Sequence, residues 1–239
     1  MIGLGTIINT ASIIGAGIVG HFAGNLFKEE QQESVGRVCG ISVLFIAIAG
    51  AMEGMLKPNG GALTATNTML VVICVVLGTV IGELMRIESW FISFGEWLKK
   101  KTGNEGDRNF VNAFVTASLT VSIGAMAIVG SIEDGISQDY TTLALKSVLD
   151  FVIIVVMTSS LGKGCAFSAI PVFVFEGCMT LFAHLISPIM TAAAVANLSM
   201  IGSILIFCVG VNLVWDTKLR VANMLPAVIL AVMAGLLPI

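Results

Sequence analysis

Apolar stretches of about 20 residues, the length that crosses a hydrocarbon core of roughly 30 Å as a helix, recur from one end of this 239-residue sequence to the other. Backbone N–H and C=O groups find no water in lipid, so such stretches must bond within themselves as helices or close into a barrel. Barrel strands alternate apolar and polar residues. The stretches here do not alternate, as "TMLVVICVVLGTVIG" at 68–82 and "FVIIVV" at 151–156 show. The expected fold is therefore all-α, a polytopic transmembrane helical bundle forming a single integral membrane domain over 1–239. With 56% hydrophobic and only 11% charged residues, and a mean hydropathy of +0.99, the chain has too little polar surface for a soluble fold. A net charge of −3 and no basic run longer than Lys99, Lys100 and Lys101 exclude a nucleic-acid partner.

Hydropathy divides the chain into about eight spans, at 2–26, 38–55, 66–85, 110–131, 140–161, 165–186, 190–214 and 221–238. Residues 1–26 lack the basic start of a signal peptide and read as an uncleaved first span. Alternating the loops puts Lys28, Arg37, Arg86, Lys99, Lys100, Lys101, Arg108, Lys163, Lys218 and Arg220 on one side and Lys57 on the other. By the positive-inside rule the first side is cytoplasmic. Both termini and the acidic loop Glu133 to Asp139 then face outward.

Between the third and fourth spans, "RIESWFISFGEWLKKKTG" at 86–103 places Ile87, Trp90, Phe91, Phe94, Trp97 and Leu98 at helical spacing, with Glu88, Glu96 and the lysines elsewhere. The pattern predicts an amphipathic helix lying in the cytoplasmic interface. A shift of 160 residues aligns Gly17 with Gly177, Phe22 with Phe182, Ala23 with Ala183, Ile46 with Ile206 and Gly50 with Gly210. Spans 1–3 and 6–8 run in opposite senses, so the two triplets are expected to be inverted repeats. "IAGAM" at 48–52 also resembles "SIGAM" at 122–126. The organisation expected is a first repeat over 1–85, an interfacial segment over 86–109, a central helix pair over 110–161 and a second repeat over 165–239.

Polar residues inside spans are the candidate site. A carboxylate at the bilayer centre costs about 2.5–3.5 kcal/mol on insertion scales, so such acids face a partner or a cavity. Asp150 and Glu176 lie near the centres of the fifth and sixth spans, and Lys146 stands one turn before Asp150, on the same face. Pro171, five residues before Glu176, is expected to kink the sixth span and free the carbonyl of Phe167. The fourth span carries Ser118 and Ser122 one turn apart, then Gly124 and Gly130, a pattern of either a discontinuous, ligand-facing helix or close packing. Asn9 and Asn212 offer amides in the first and seventh spans. Ala16, Gly20 and Gly24 form a small-residue ridge suited to another helix or another subunit, and a homo-oligomer, favouring a dimer, is expected. His21 reads as structural. Cys39, Cys74, Cys165, Cys178 and Cys208 lie singly in apolar surroundings, with no metal-ligand spacing.

"GTIINTASIIGAGIVG" at 5–20, "FVTASLTVSIGAMAIVGSIEDG" at 114–135, "LKSVLDFVIIVVMTSSLGKGCAFSAIPV" at 145–172 and "RVANMLPAVILA" at 220–231 resemble the YdfK/YqgA family of bacterial inner-membrane proteins, a family of unknown function. The resemblance covers essentially the whole chain and implies a multi-pass protein of the bacterial inner membrane, often described as a transporter, with no substrate specified. It also implies glutamine before the glycine that ends "AIPVFVFEG"; this chain has Glu176 there. No G-x-S-x-G, no H-E-x-x-H and no cofactor motif is present. The function expected is non-enzymatic: secondary transport of a small polar or ionic solute, with H+ or Na+ as the candidate coupling ion and the site at mid-bilayer between the fourth, fifth and sixth spans. The alternatives are a channel and, more distantly, an intramembrane enzyme or a structural protein.

Overall fold

The computed structural model describes residues 1–24, 28–59 and 61–236. Helix takes up 81% of the chain. In order, the elements are α1 (Leu4–Gly24), α2 (Glu29–Met55), strands β1 (Leu56–Asn59) and β2 (Ala62–Ala65), α3 (Thr68–Met85), α4 (Ile87–Lys101), α5 (Phe110–Ser122), α6 (Ala125–Ser137), α7 (Thr141–Leu161), a 3-10 turn at Lys163–Ser168, α8 (Ala169–Leu181), α9 (Ala183–Ile186), α10 (Ala192–Trp215), a second 3-10 turn at Val221–Met224, and α11 (Pro226–Ala234). Among the described residues, six helices are long and apolar enough to cross a membrane, or seven with α5 and α6 taken as one bent span. The last apolar helix, 221–234, is shorter, and the predicted span ends at 25–26 and 237–238 lie outside the described residues. Large apolar side chains such as Phe22, Phe45, Leu77, Val148 and Phe173 cover the outside of the bundle, the distribution of a chain whose solvent is hydrocarbon.

Three local features differ from the sequence pattern. The second helix starts at Glu29 rather than 38, because its polar first turns are good helix formers and the Gln31 Oε1 accepts from the Lys28 N–H at 2.9 Å, closing the helix start. Between α2 and α3 stands an antiparallel hairpin, Leu56 opposite Ala65, turned at Gly61 with φ 89°. The fourth span breaks after Ser122, where α5 and α6 meet at 62°; Gly124 there is extended, with φ 164° and ψ 153°.

Helix directions follow from which residues meet. Along α1 and α7, Gly5 packs on Leu143, the Ser12 hydroxyl donates to the Ser147 carbonyl at 2.7 Å, and Gly24 packs on Ser159, so the two run parallel. Thr6 meets Thr180 while Gly17 meets Ala166, so α1 is antiparallel to α8 and its preceding turn. Gly40 packs on Val214 and Gly54 on Met200, making α2 and α10 antiparallel. Gly78 packs on Ala227 and Gly82 on Asn223, which does the same for α3 and α11. A Cβ at residue 82 would sit 1.8 Å from the Asn223 carbonyl oxygen, so only glycine allows this approach. The ridge Ala16, Gly20, Gly24 is taken up inside the chain: Gly20 lies against Val155 and Thr158 of α7, and Ala16 is fully buried. It offers nothing to a second subunit. The helix α4 forms as its periodicity predicts, burying Gly95 and Leu98 against α5 and leaving Trp90, Phe94 and Trp97 exposed.

Candidate functional site

Near the middle of α7, Lys146 and Asp150 share a face and are 6% and 4% exposed. The Lys146 Nζ donates to Asp150 Oδ2 and, at 2.8 Å, to the carbonyl of Val121. That carbonyl belongs to the last turn of α5, where the break leaves acceptors without helix partners. The helix C-terminus and the ammonium are a favourable dipole–charge pair. Glu176 on α8, fully buried, stands with Oε1 3.6 Å from the same nitrogen. Asn9 on α1 joins the two acids: its Nδ2 donates to Asp150 Oδ2 at 3.1 Å and to Glu176 Oε1 at 2.8 Å. Three helices and one broken helix end thus converge on a cluster with one ammonium and two carboxyl groups. Two of its acceptors, Asn9 Oδ1 and Glu176 Oε2, are buried without a donor.

Of the residues singled out from the sequence, Asn9, Lys146, Asp150 and Glu176 come together, and the pair Lys146–Asp150 is in fact part of a triad. Ser118, Ser122 and Gly124 lie at the α5–α6 break, lining an apolar cavity of about 520 Å³ with Phe91, Phe175 and Leu198. The Ser118 hydroxyl is spent on the Phe114 carbonyl at 2.6 Å, whereas the Ser122 hydroxyl is buried without a partner. Gly130 is elsewhere, packed against Thr142 and Leu143 at the start of α7, a close-approach position. Asn212 is elsewhere too. Its Oδ1 accepts from Thr217 Oγ1 at 2.7 Å and the Leu219 N–H at 3.0 Å, and its Nδ2 donates to the Leu219 carbonyl at 2.9 Å, so it ties down the loop after α10. Pro171 falls in the first turn of α8, where a missing N–H costs nothing, so the expected proline kink does not arise; a 3-10 turn at Lys163–Ser168 leads into α8 instead.

Thr6, Thr180 and Asp134 are among the buried polar residues that had not been singled out. Thr6 and Thr180 hydroxyls pair at 3.4 Å, one turn from Asn9 and Glu176 respectively. Asp134, read from the sequence as part of an outward acidic loop, is fully buried and accepts from the N–H groups of Gly3 and Gly5 at 3.3 and 2.9 Å, capping the start of α1. The threonines sit one turn along from a central polar residue, a signal legible in hindsight. Asp134 leaves no local signal, because its partners are 131 and 129 residues away.

Two curated proteins are similar over nearly their whole lengths. The "Uncharacterized membrane protein YdfK" of Bacillus subtilis (strain 168) is 25% identical over 226 residues, covering 95% of this chain and 93% of the relative. The "Uncharacterized protein YqgA" of Escherichia coli (strain K12) is 25% identical over 235 residues, covering 95% and 94%. No solved structure matches. With its apolar helices and such relatives, the chain is a membrane protein. Residues 4–236 match the model "Protein of unknown function (DUF554)", and the chain belongs to that family.

Proposed function

We propose that this protein is a secondary transporter of a small polar or ionic solute, coupled to a cation of the H+ or Na+ class, with its site at mid-bilayer around Asn9, Lys146, Asp150 and Glu176. One observation carries the reading: the cluster has two carboxyl groups against one ammonium, and two of its fully buried oxygens, Asn9 Oδ1 and Glu176 Oε2, have no donor. Both are acceptors, so the partner that would complete them is a donor or a cation. A carboxylate left uncompensated in hydrocarbon is costly, which makes uptake of one positive charge favourable.

The architecture proposed for it is eight spans built as inverted triplets, 1–85 and 165–239, around a central pair of spans, with both termini outside a bacterial inner membrane. Three of the four antiparallel or parallel pairings support this: α1 with α8, α2 with α10 and α3 with α11 are the pairs that an in-plane pseudo-two-fold axis brings together. The Gly40–Val214 contact becomes the Gly54–Met200 contact under the same 160-residue shift that aligns the repeats. Broken α5–α6 beside the acids matches the discontinuous helices of carriers. The proposal includes no enzymatic step, and a homodimer would have to use a surface other than the α1 ridge.

Thermal unfolding of the purified protein with a panel of small solutes, in sodium and in sodium-free buffers across pH, tests the reading. A solute at a hundred times its Kd adds about 2.7 kcal/mol to stability, and Glu176→Gln or Asn9→Ala removes that gain. Stabilisation that persists in both variants sinks the site.

A further inference from the structure

The break between α5 and α6 leaves two helix ends inside an apolar span, and they are treated differently. At the end of α5 the Val121 carbonyl accepts from Lys146 Nζ at 2.8 Å, so the negative end of that helix dipole has its cation. At the start of α6 the N-cap is Gly124, which has no side chain to accept from the first-turn N–H groups. The natural complement of a helix N-terminus is an anion. This end meets the cavity of about 520 Å³, which Ser122, Gly124 and Ile128 line from the break, Phe175 from α8, Leu198 from α10 and Val228 from α11. Among the described residues no charged side chain lines it. Ser122 brings a hydroxyl that is buried without a partner. Small-molecule pockets have roughly this size, 300–1,000 Å³, and this make-up, an apolar wall with a few convergent polar groups.

We infer that this cavity binds a monocarboxylate with an apolar body, the carboxylate on the N–H groups that open α6 and on the Ser122 hydroxyl, the hydrocarbon part against Phe175, Leu198 and Val228. The inference rests on the proposed transport reading and names its solute class. Other occupants fit worse. A hydrocarbon chain alone leaves the hydroxyl and the N–H groups unpaired in an apolar site, which is costly. A sugar buries its hydroxyls against walls that offer them no partner. An inorganic anion leaves most of the apolar volume unfilled, and a cation meets the wrong end of the helix dipole. The cavity also adjoins the charged cluster through two helices: Ser122 follows Val121, whose carbonyl holds Lys146, and Phe175 precedes Glu176. That cluster sets one ammonium against two carboxyl groups. An anion arriving beside it favours uptake of a cation there, and by linkage the cation favours the anion equally. Carboxylate and coupling cation therefore bind as a pair, which also gives the buried anion its counter-charge.

The test is equilibrium binding of radiolabelled octanoate and 3-phenylpropionate to the full chain in lipid nanodiscs, with empty discs as the background and 1-octanol and octylamine as competitors. The expected result is saturable binding of at least one carboxylate, no competition by octylamine, and competition by octanol at least about tenfold weaker than by octanoate. Ser122→Ala removes a hydrogen bond to a charged group and weakens binding about tenfold or more. Val174→Trp fills the cavity from a position that is 55% exposed, so the fold tolerates it, and saturable binding is lost; thermal unfolding of both variants stays at the wild-type temperature. Absence of saturable binding of either probe overturns the solute class. Octanol competing as well as octanoate shows a site for hydrocarbon chains and overturns the carboxylate, and wild-type binding in both Ser122→Ala and Val174→Trp overturns the cavity. Carboxylate binding that is lost in those variants, yet is indifferent to sodium, to pH and to Glu176→Gln, overturns the coupled transport reading while the cavity stands.

Discussion

Because Lys146 faces two acids, removing the Lys146–Asp150 charges should not restore a neutral core. In Asp150→Asn the ammonium keeps the Val121 carbonyl at 2.8 Å and Glu176 at 3.6 Å. At an effective dielectric constant of about 20, unit charges 3.6 Å apart attract by about 5 kcal/mol before desolvation. That residual partner offsets part of the roughly 3–5 kcal/mol that breaking a buried pair costs, so the single variant should lose about 2 kcal/mol. Lys146→Met with Asp150→Leu takes away both charges of the apparent pair, yet it strands Glu176 with only the Asn9 amide, and a penalty of up to roughly 3–5 kcal/mol for an unpaired buried charge applies as long as that carboxyl is ionised. Adding Glu176→Gln removes the stranded charge and should return stability to within about 1 kcal/mol of wild type, since apolar or neutral replacement of a whole buried charge cluster is close to neutral. The assay is thermal unfolding in mild detergent at neutral and at alkaline pH, followed by tryptophan fluorescence. If the double and triple variants unfold together even at alkaline pH, where the carboxyl is held ionised, Glu176 is not coupled to Lys146 and the triad is refuted. The triple variant should fold and bind no coupling ion.

Asn212→Ala should cost about 1–2 kcal/mol through loss of the two hydrogen bonds it accepts from, and the one it donates to, the Thr217–Leu219 loop, with solute binding unchanged, measured on the same unfolding curve and by titration calorimetry. Gly82→Ala forces a Cβ into the Asn223 carbonyl and should destabilise by at least about 1–3 kcal/mol, whereas Gly177→Ala, with nothing within 4 Å of the added carbon, should be neutral or slightly stabilising. Glu88 opens α4 beneath Asn223, and its burial, with Glu83 adding and Arg220 opposing, raises its carboxyl above the usual value. The folded state then holds that proton more tightly than the unfolded state, so stability falls as pH rises from the unfolded to the folded value. Glu88→Gln should therefore raise the melting temperature at neutral pH and change nothing below the usual carboxylate range. Cysteines introduced at Asn104 and Ser137 should be labelled by an impermeant maleimide from opposite faces; labelling from one face alone would falsify the eight-span order.

How much of this was legible beforehand depended on distance along the chain. Helices follow from the run of apolar residues, because in lipid each backbone group must find its partner four residues away. The amphipathic α4 and the Lys146–Asp150 pair are likewise local, fixed by a period of 3.6 residues. Their legibility needed no knowledge of neighbours. The hairpin at 56–65 and the break at Ser122 were less clear, since glycine and proline permit turns, hinges and close packing alike, and only the packing selects among them. Asn9 and Asn212 illustrate the limit. Both are amides inside apolar spans, indistinguishable by hydropathy, and tertiary structure sends one to the acids of α7 and α8 and the other to a loop. Asp134 belongs to a run that reads as solvated, and it is buried because α1 brings two unpaired N–H groups to it from 129 and 131 residues away. The sequence by itself determined which segments are helices and how they are flanked by charge, because those depend on each residue's own solvent. Which polar residues meet was decided by helix pairing, whose specificity lies in the shapes of two surfaces and not in either segment alone.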